Sequence, residues 1–281
     1  MRNFHLHLVS DATGETLNSV ARAVVTQFEG VRPIEHSWAL VRSLKHLDRV
    51  LQAIAEAPGV VMFTVVERDL RKQLQAGCDR LNVPCIPVLD PVIASLSDYL
   101  GVESRGQPGR QHEMNTEYFG RIEAMRFTMA HDDGQRAEHL DQSDMILVGV
   151  SRTSKTPTSI YLANRGYKVS NIPVVPACPL PPQLEGLSRP LVVGLTANAE
   201  RLIQVRQNRL RSLNQTGETD YVELEAVRQE LIEARRLFTK RGWPVIDVTR
   251  RSIEETAAAI LNLYFERNGL TGSSDVPSPS V

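Results

Sequence analysis

The sequence predicts an α/β fold in two domains, and three observations carry that expectation. Apolar runs of strand length alternate with amphipathic stretches of helical period, the pattern of a parallel sheet covered on both faces. A stretch rich in Gly, Pro, Gln and charge, GVESRGQPGRQHEMN at 101–115, has almost nothing to bury and divides the alternation in two. After it, the apolar run Met145-Ile146-Leu147-Val148, too short for a helix, gives way to small polar residues and then to a second helical stretch. The expected organisation is an N-terminal α/β domain over 1–100, a linker over 101–115, a second α/β domain over 116–268, and a disordered tail over 269–281.

The elements follow in order. Phe4 to Val9 alternates strictly and reads as a strand, with His5 and His7 on its second face. Two histidines at that spacing can ligate a metal, but no third ligand lies nearby, and an edge or partly wet strand face accounts for both. Ser10-Asp11-Ala12-Thr13-Gly14-Glu15-Thr16 precedes the helix Leu17–Phe28. Asp11 or Thr13 can cap that helix, and the same turn stands at the carboxyl end of a strand, where open α/β sheets place ligands. Strands are expected at Glu35–Val41, Val60–Val66 and Cys85–Val88, and helices at Ser43–Ala57, Asp69–Leu81 and Pro91–Leu100. Glu117–Met129 is helical, with Tyr118, Ile122, Met125 and Met129 on one stripe expected to face the core. Further strands are expected at Lys168–Val175, Leu191–Thr196 and Trp243–Val248, and further helices at Asn198–Arg211, Asp220–Lys240 and Ser252–Arg267. Four prolines between Pro176 and Pro182 stiffen the connection to the Leu191 strand into an extended loop.

The chemistry concentrates in Asp144–Gly166. Gly149-Val150-Ser151-Arg152-Thr153-Ser154-Lys155-Thr156 matches the P-loop pattern of Gly, four residues, Gly, Lys, Ser/Thr, except that Ser154 stands at the second glycine. Such a strand-to-helix turn aims successive backbone N–H groups and a helix N-terminus at a phosphate. Lys155 adds a point charge, Thr156 can ligate magnesium, and Arg152 can meet developing charge. An ordinary capped turn with a solvated lysine is the plainer alternative. The second domain is therefore expected to be a P-loop-containing, kinase-like α/β domain. At the end of the Glu117 helix, His131-Asp132-Asp133-Gly134 places two acids where the helix dipole disfavours them. A carboxylate that takes the proton of an attacking hydroxyl, or holds magnesium, would account for Asp132 or Asp133; so would a solvated turn. The helix with Arg201, Arg206, Arg209 and Arg211 can offer one or two arginines to phosphate, or simply be a solvated face.

These residues resemble the regulatory proteins of pyruvate, phosphate dikinase and their relatives that regulate phosphoenolpyruvate synthase. GVSRTSKTPTSIYLANRGYKVSNIPVVP carries the likeness most strongly, with VSDATGET at 9–16, YFGRIEAM at 118–125, HDDG at 131–134 and Gly194-Leu195-Thr196, so that it spans nearly the whole chain. The resemblance implies a bifunctional enzyme that uses ADP, with magnesium, to phosphorylate a threonine of its target. It also implies phosphate-dependent removal of that group as pyrophosphate. The target it implies is the dikinase, with the synthase as alternative; a non-catalytic nucleotide-binding module is the reading from another class. A homodimer is compatible with the sequence and is not read from it.

Composition excludes other classes. A formal net charge of -1 with 23% charged residues leaves no electrostatic footprint for nucleic acid or an anionic membrane as main partner. Cys78, Cys85 and Cys178 have neither metal-ligand nor redox spacing. No apolar signal core opens the chain and no run reaches membrane-spanning length, so a cytoplasmic location is expected.

Overall fold

The computed structural model describes residues 1–109, 116–176, 178–212 and 221–269. The chain divides into two compact units, Met1–Glu113 and Met114–Val281. Residues 110–115 of the expected linker and 270–281 of the expected tail lie outside the described residues.

In the first unit, strands and helices alternate as β1 (Arg2–Ser10), α1 (Glu15–Val25), β2 (Val31–Trp38), α2 (Leu44–Glu56), β3 (Gly59–Thr64), α3 (Arg68–Arg80), β4 (Cys85–Pro87) and α4 (Asp90–Leu100). The strands form a wholly parallel sheet in the order β2-β1-β3-β4. Alternate side chains feed two cores. Val9, Val61 and Phe63 pack with Leu47, Val50 and Ile54 of α2 and Leu70, Leu74 and Cys78 of α3, whereas Leu6, Leu8 and Met62 pack with Leu17 and Ala21 of α1. Caps start the helices: Ser43 accepts from the His46 amide at 3.3 Å, and the Glu67 carboxylate accepts from Asp69 and Leu70.

Two expectations for this unit are corrected. β1 is an interior strand, so His7 is wholly buried rather than on an edge or wet face. Its Nε2–H donates to the Ala57 carbonyl at 2.8 Å and its Nδ1 accepts from the Trp38 indole at 3.4 Å, which makes the ring neutral. Burial holds its pKa below the ordinary value, the Ala57 bond opposes this, and His36 and His5 push it further down. Nor does Asp11 cap α1: its carboxylate accepts from the amides of Val66, at 2.7 Å, and Glu67, across the sheet. Gly14, at φ 82°, takes the cap position with no side-chain bond, because the chain turns there through the left-handed region that glycine enters without strain.

The second unit contains α5 (Thr116–Ala130), β5 (Met145–Gly149), α6 (Lys155–Ala163), β6 (Val169–Pro173), β7 (Leu191–Thr196), α7 (Ala199–Ser212), α8 (Leu224–Arg241), β8 (Val245–Asp247) and α9 (Ile253–Arg267). Its sheet is also wholly parallel, in the order β6-β5-β7-β8, and so repeats the strand order of the first. β5 is buried at every residue. Ile146 and Val148 meet Leu202 of α7 and Val227, Leu231 and Phe238 of α8, while Met145 and Leu147 meet Leu162 of α6 and Ile260 and Leu261 of α9. Each such side chain contributes about 1.5–3 kcal/mol on burial, which anchors the strand that carries the loop. A full capping box between Ser252 and Glu255 starts α9, and Asn198 accepts from the Arg201 amide at 2.8 Å to start α7.

The α5 stripe is a third correction. Ala124 and Thr128 are its buried positions, whereas Ile122 is 37% and Met129 72% exposed. Thr128 wins a core place because its hydroxyl accepts from the Val169 amide at 3.0 Å, tying α5 to the start of β6. Among the described residues, no helix is long and apolar enough to cross a membrane.

Candidate active site

β5 is flanked by β6 on one side and β7 on the other, so the chain reverses its direction of winding at the carboxyl end of β5. Open α/β sheets bind ligands at such a point. The loop 149–156 stands there, between β5 and α6. Gly149 is required by close approach: a Cβ on it would lie 2.6 Å from the Leu195 carbonyl oxygen on β7 and 2.8 Å from Thr153 Oγ1. Thr153, fully buried, donates to the Val150 carbonyl at 2.9 Å and closes the turn on itself.

Arg152 and Ser154 have φ of 72° and 59°. Ser154 therefore occupies the left-handed conformation that a P-loop gives to its second glycine, and its side chain makes no capping bond. Among the described residues, the backbone N–H groups of Arg152, Thr153 and Ser154 find no acceptor. The first N–H groups of α6 have no intrahelical partner either, so a consecutive run of donors is left for a ligand. The Lys155 ammonium is 5% exposed and donates to the carbonyls of Gly149 at 2.9 Å and Val150 at 3.0 Å, which leaves one N–H. Burial lowers the pKa of Lys155 to about 8, against the pull of Asp133, Asp132 and Glu230, while Arg152 lowers it further. The lysine is thus charged at pH 7 but held near its titration point.

The acids flagged at 131–134 come to the same place. A 3-10 turn, Asp132–Gly134, follows α5, and Asp132 Oδ1 accepts from Thr156 Oγ1 at 2.9 Å and from the Asn171 amide group. The Asn171 side chain in turn accepts from the Asp133 amide at 3.0 Å, with Asp133 at φ 49°. Asp133 itself is exposed. His131 stacks on Phe127 at 3.8 Å and donates from Nδ1 to its carbonyl, which fixes the turn against α5. Of the four arginines on α7, only Arg206 is buried; Arg201, Arg209 and Arg211 are exposed.

Sequence reasoning missed Asn171, Tyr221 and Glu230. Asn171 is 1% exposed, next to the likewise buried Ser170, and two polar residues between the apolar Val169 and Ile172 of a strand were the available signal. The arrangement offers an anion cradle, a buried cation, a hydroxyl–carboxylate pair and a second exposed carboxylate. A hydroxyl and one carboxylate suit magnesium, which takes few protein oxygens and fills its sphere with substrate phosphates and water. No group of three or more His, Cys, Asp or Glu that could hold a metal unaided occurs among the described residues.

The Ser10–Thr16 turn occupies the equivalent position in the first unit. It borders a cavity of about 210 Å³ lined by Ser10, Asp11, Gly14, Thr16, Thr64 and Val66, among others. Burial pushes the Asp11 carboxyl upward, opposed by the Val66 and Glu67 amides.

The chain is similar to known proteins over nearly its whole length. The pattern of the kinase/pyrophosphorylase family matches residues 6–261. Three relatives, each provisionally named a pyruvate, phosphate dikinase regulatory protein, align over almost all of the chain. That of Paramagnetospirillum magneticum is 56% identical over 273 residues, covering 96% of this chain and 88% of its own. That of Caulobacter vibrioides is 58% identical over 260 residues, 92% of this chain and 82% of its own. That of Novosphingobium aromaticivorans is 54% identical over 279 residues, 99% and 100% respectively. A match of this extent, on a chain whose second parallel sheet carries a strand-to-helix loop with a buried lysine at its switch point, places the protein in the kinase/pyrophosphorylase family.

Proposed function

We propose that this chain is a bifunctional regulator of pyruvate, phosphate dikinase, an ADP-dependent threonine kinase and a phosphate-dependent, pyrophosphate-forming phosphorylase. One observation carries the reading: the amides of Arg152, Thr153 and Ser154, without acceptors among the described residues, precede the buried Lys155, with Thr156 bonded to Asp132. Such an arrangement suits a terminal phosphoryl group and the oxygen that attacks it, and so supports the reading. The relatives' names support the dikinase as target.

In the forward direction the loop amides and Lys155 hold the β-phosphoryl group of ADP, and the target threonine hydroxyl attacks its phosphorus. The P–O bond to the α-phosphate breaks and AMP leaves. Asp132 is committed to Thr156 and Asn171, whereas no hydrogen bond to the Asp133 carboxylate is found among the described residues, so Asp133 takes the hydroxyl proton. Arg152 faces the charge that develops on the transferring group. Thr156 and Asp132 would hold magnesium, which when bound supplies charge neutralisation between the phosphates. In reverse, inorganic phosphate occupies the same cradle, attacks the phosphothreonine and departs as pyrophosphate, while the threonine oxygen recovers its proton from Asp133.

Incubation with ADP, magnesium and purified dikinase or phosphoenolpyruvate synthase, with mass spectrometry of the product, tests this. Phosphothreonine on the dikinase, removed again on adding phosphate with release of pyrophosphate, is the expected result. Lys155→Ala abolishes both directions if one cradle serves both. Transfer to the synthase alone would change the target, and ADP binding with no phosphothreonine on either protein would reduce the chain to a binding module.

A further inference from the structure

Among the described residues Arg206 is the largest fully buried side chain, 1% exposed, and the reaction scheme above gives it no part. It reaches from α7 to the underside of the phosphate loop. Nη2 donates to the Ser151 carbonyl at 3.3 Å and pairs with the Glu230 carboxylate of α8 at 2.8 Å; Nη1 donates to the Tyr221 carbonyl at 3.0 Å. The guanidinium lies 4.4 Å over the Tyr221 ring, and that ring's hydroxyl contacts Ser151 Oγ at 3.1 Å and accepts from Arg152 Nε at 3.4 Å. Arg206 Nε is buried with no partner among the described residues. A buried ion pair with an unsatisfied donor is poor value as a stabiliser, since apolar residues of similar volume hold a core as well or better. The feature that uses the arginine is its fork.

Across a planar trans peptide, the carbonyl of one residue and the N–H of the next point in opposite directions. Among the described residues there are no cis peptide bonds. A guanidinium that takes the Ser151 carbonyl on the buried side therefore turns the Arg152 N–H toward the open side of the loop. Arg152 at φ 72° and the unpartnered amides that follow it form the cradle there. We propose that Arg206, charge-balanced by Glu230, is the positioning residue of this loop: by gripping the Ser151 carbonyl it aims the Arg152 N–H at the phosphoryl group being transferred. The inference rests on the functional reading above and adds to it the group that presets the cradle before any ligand arrives. Tyr221 provides a second hold on the same two loop residues. Lysine at 206 would keep a charge for Glu230 but carries its three donors on a single nitrogen, so it lacks the planar fork by which Nη1 and Nη2 reach separated acceptors.

Arg206→Lys and Glu230→Gln test this through three measurements on the full chain: ADP titration, the 1H–15N signal of the Arg152 amide, and turnover per ADP-binding site in both directions. In the wild type, the Arg152 amide proton moves on adding ADP or inorganic phosphate. In Arg206→Lys that movement is at least halved and turnover per site falls about 10–100-fold in both directions, somewhat less than loss of a whole donor of this kind. ADP affinity changes less than about fivefold, because the remaining amides and Lys155 still bind. Normalising to binding sites removes any loss that comes only from misfolded protein. Should Arg206→Lys fail to fold, Glu230→Gln, which keeps shape and hydrogen bonding, gives the same readout with smaller amplitude. The proposal is overturned if turnover per site stays within about twofold of wild type, if the Arg152 amide responds equally in variant and wild type, or if it ignores ADP in the wild type. A wild-type protein that binds ADP but transfers nothing would sink the functional reading instead, and the Arg152 signal would still decide the brace.

Discussion

Replacing Ser154 by glycine tests whether the phosphate loop stores backbone strain. Ser154 stands at φ 59°, ψ 21°, and its side chain caps nothing. The left-handed conformation costs a non-glycine residue about 1–2 kcal/mol. Glycine removes that strain but makes the unfolded chain looser, which returns about 0.4–1 kcal/mol. The net expectation is a stabilisation of about 0.5–1 kcal/mol in Ser154→Gly. For a folding unit of this size that is about 1–4 °C in melting temperature. Calorimetry should read it on the transition that, under the proposed function, ADP is expected to shift upward, since a ligand stabilises the unit that binds it. An ADP titration runs alongside, with affinity expected within about threefold of wild type because backbone amides do most of the holding. A lower melting temperature would refute the strain argument. A tenfold loss of ADP affinity, about 1.4 kcal/mol, would show that the hydroxyl binds phosphate directly.

Other perturbations probe the frame around the loop. Gly149→Ala places a methyl 2.6 Å from a backbone oxygen of β7 that cannot swing away, so urea unfolding should show a loss of about 1–3 kcal/mol; an unchanged midpoint would mean that β5 and β7 part more easily than the sheet suggests. His7 is held neutral with its pKa below the ordinary value, while the unfolded chain takes up a proton near pH 6.5. The unfolded state therefore binds more protons below that pH, and stability is lost as pH falls through 6.5 toward the folded value. The urea midpoint should decline between pH 7 and pH 5 less steeply in His7→Gln than in wild type, and identical slopes would clear His7 of the effect.

What the sequence determined by itself was local. Met145–Val148 announces a strand buried on both faces because no other element of four apolar residues bounded by turns buries them all, and Pro157 and Gly166 bound a helix by backbone sterics alone. Gly149, Lys155 and Thr156 carry the spacing of a P-loop pattern, legible because the donors of such a loop come from consecutive peptide units and one short window holds the whole motif. The two parallel sheets were legible for the same reason, as each strand and helix carries its own period. What only the tertiary structure decided involves residues far apart in the chain. Asn171 joins Asp132 across 39 residues, and Arg206 meets Ser151 across 55, because parallel strands and their crossover helices bring distant ends together at one edge. Period shows that α5 is a helix, but which stripe is buried follows from the partner that Thr128 finds on β6, and so Met129 faces water. His7 lies in the core since β1 has neighbours on both sides, a fact of strand order that alternation along one strand does not contain. Among four arginines on one helix, burial under a loop selects Arg206, and that depends on where α7 and α8 rest on the sheet rather than on any spacing within them.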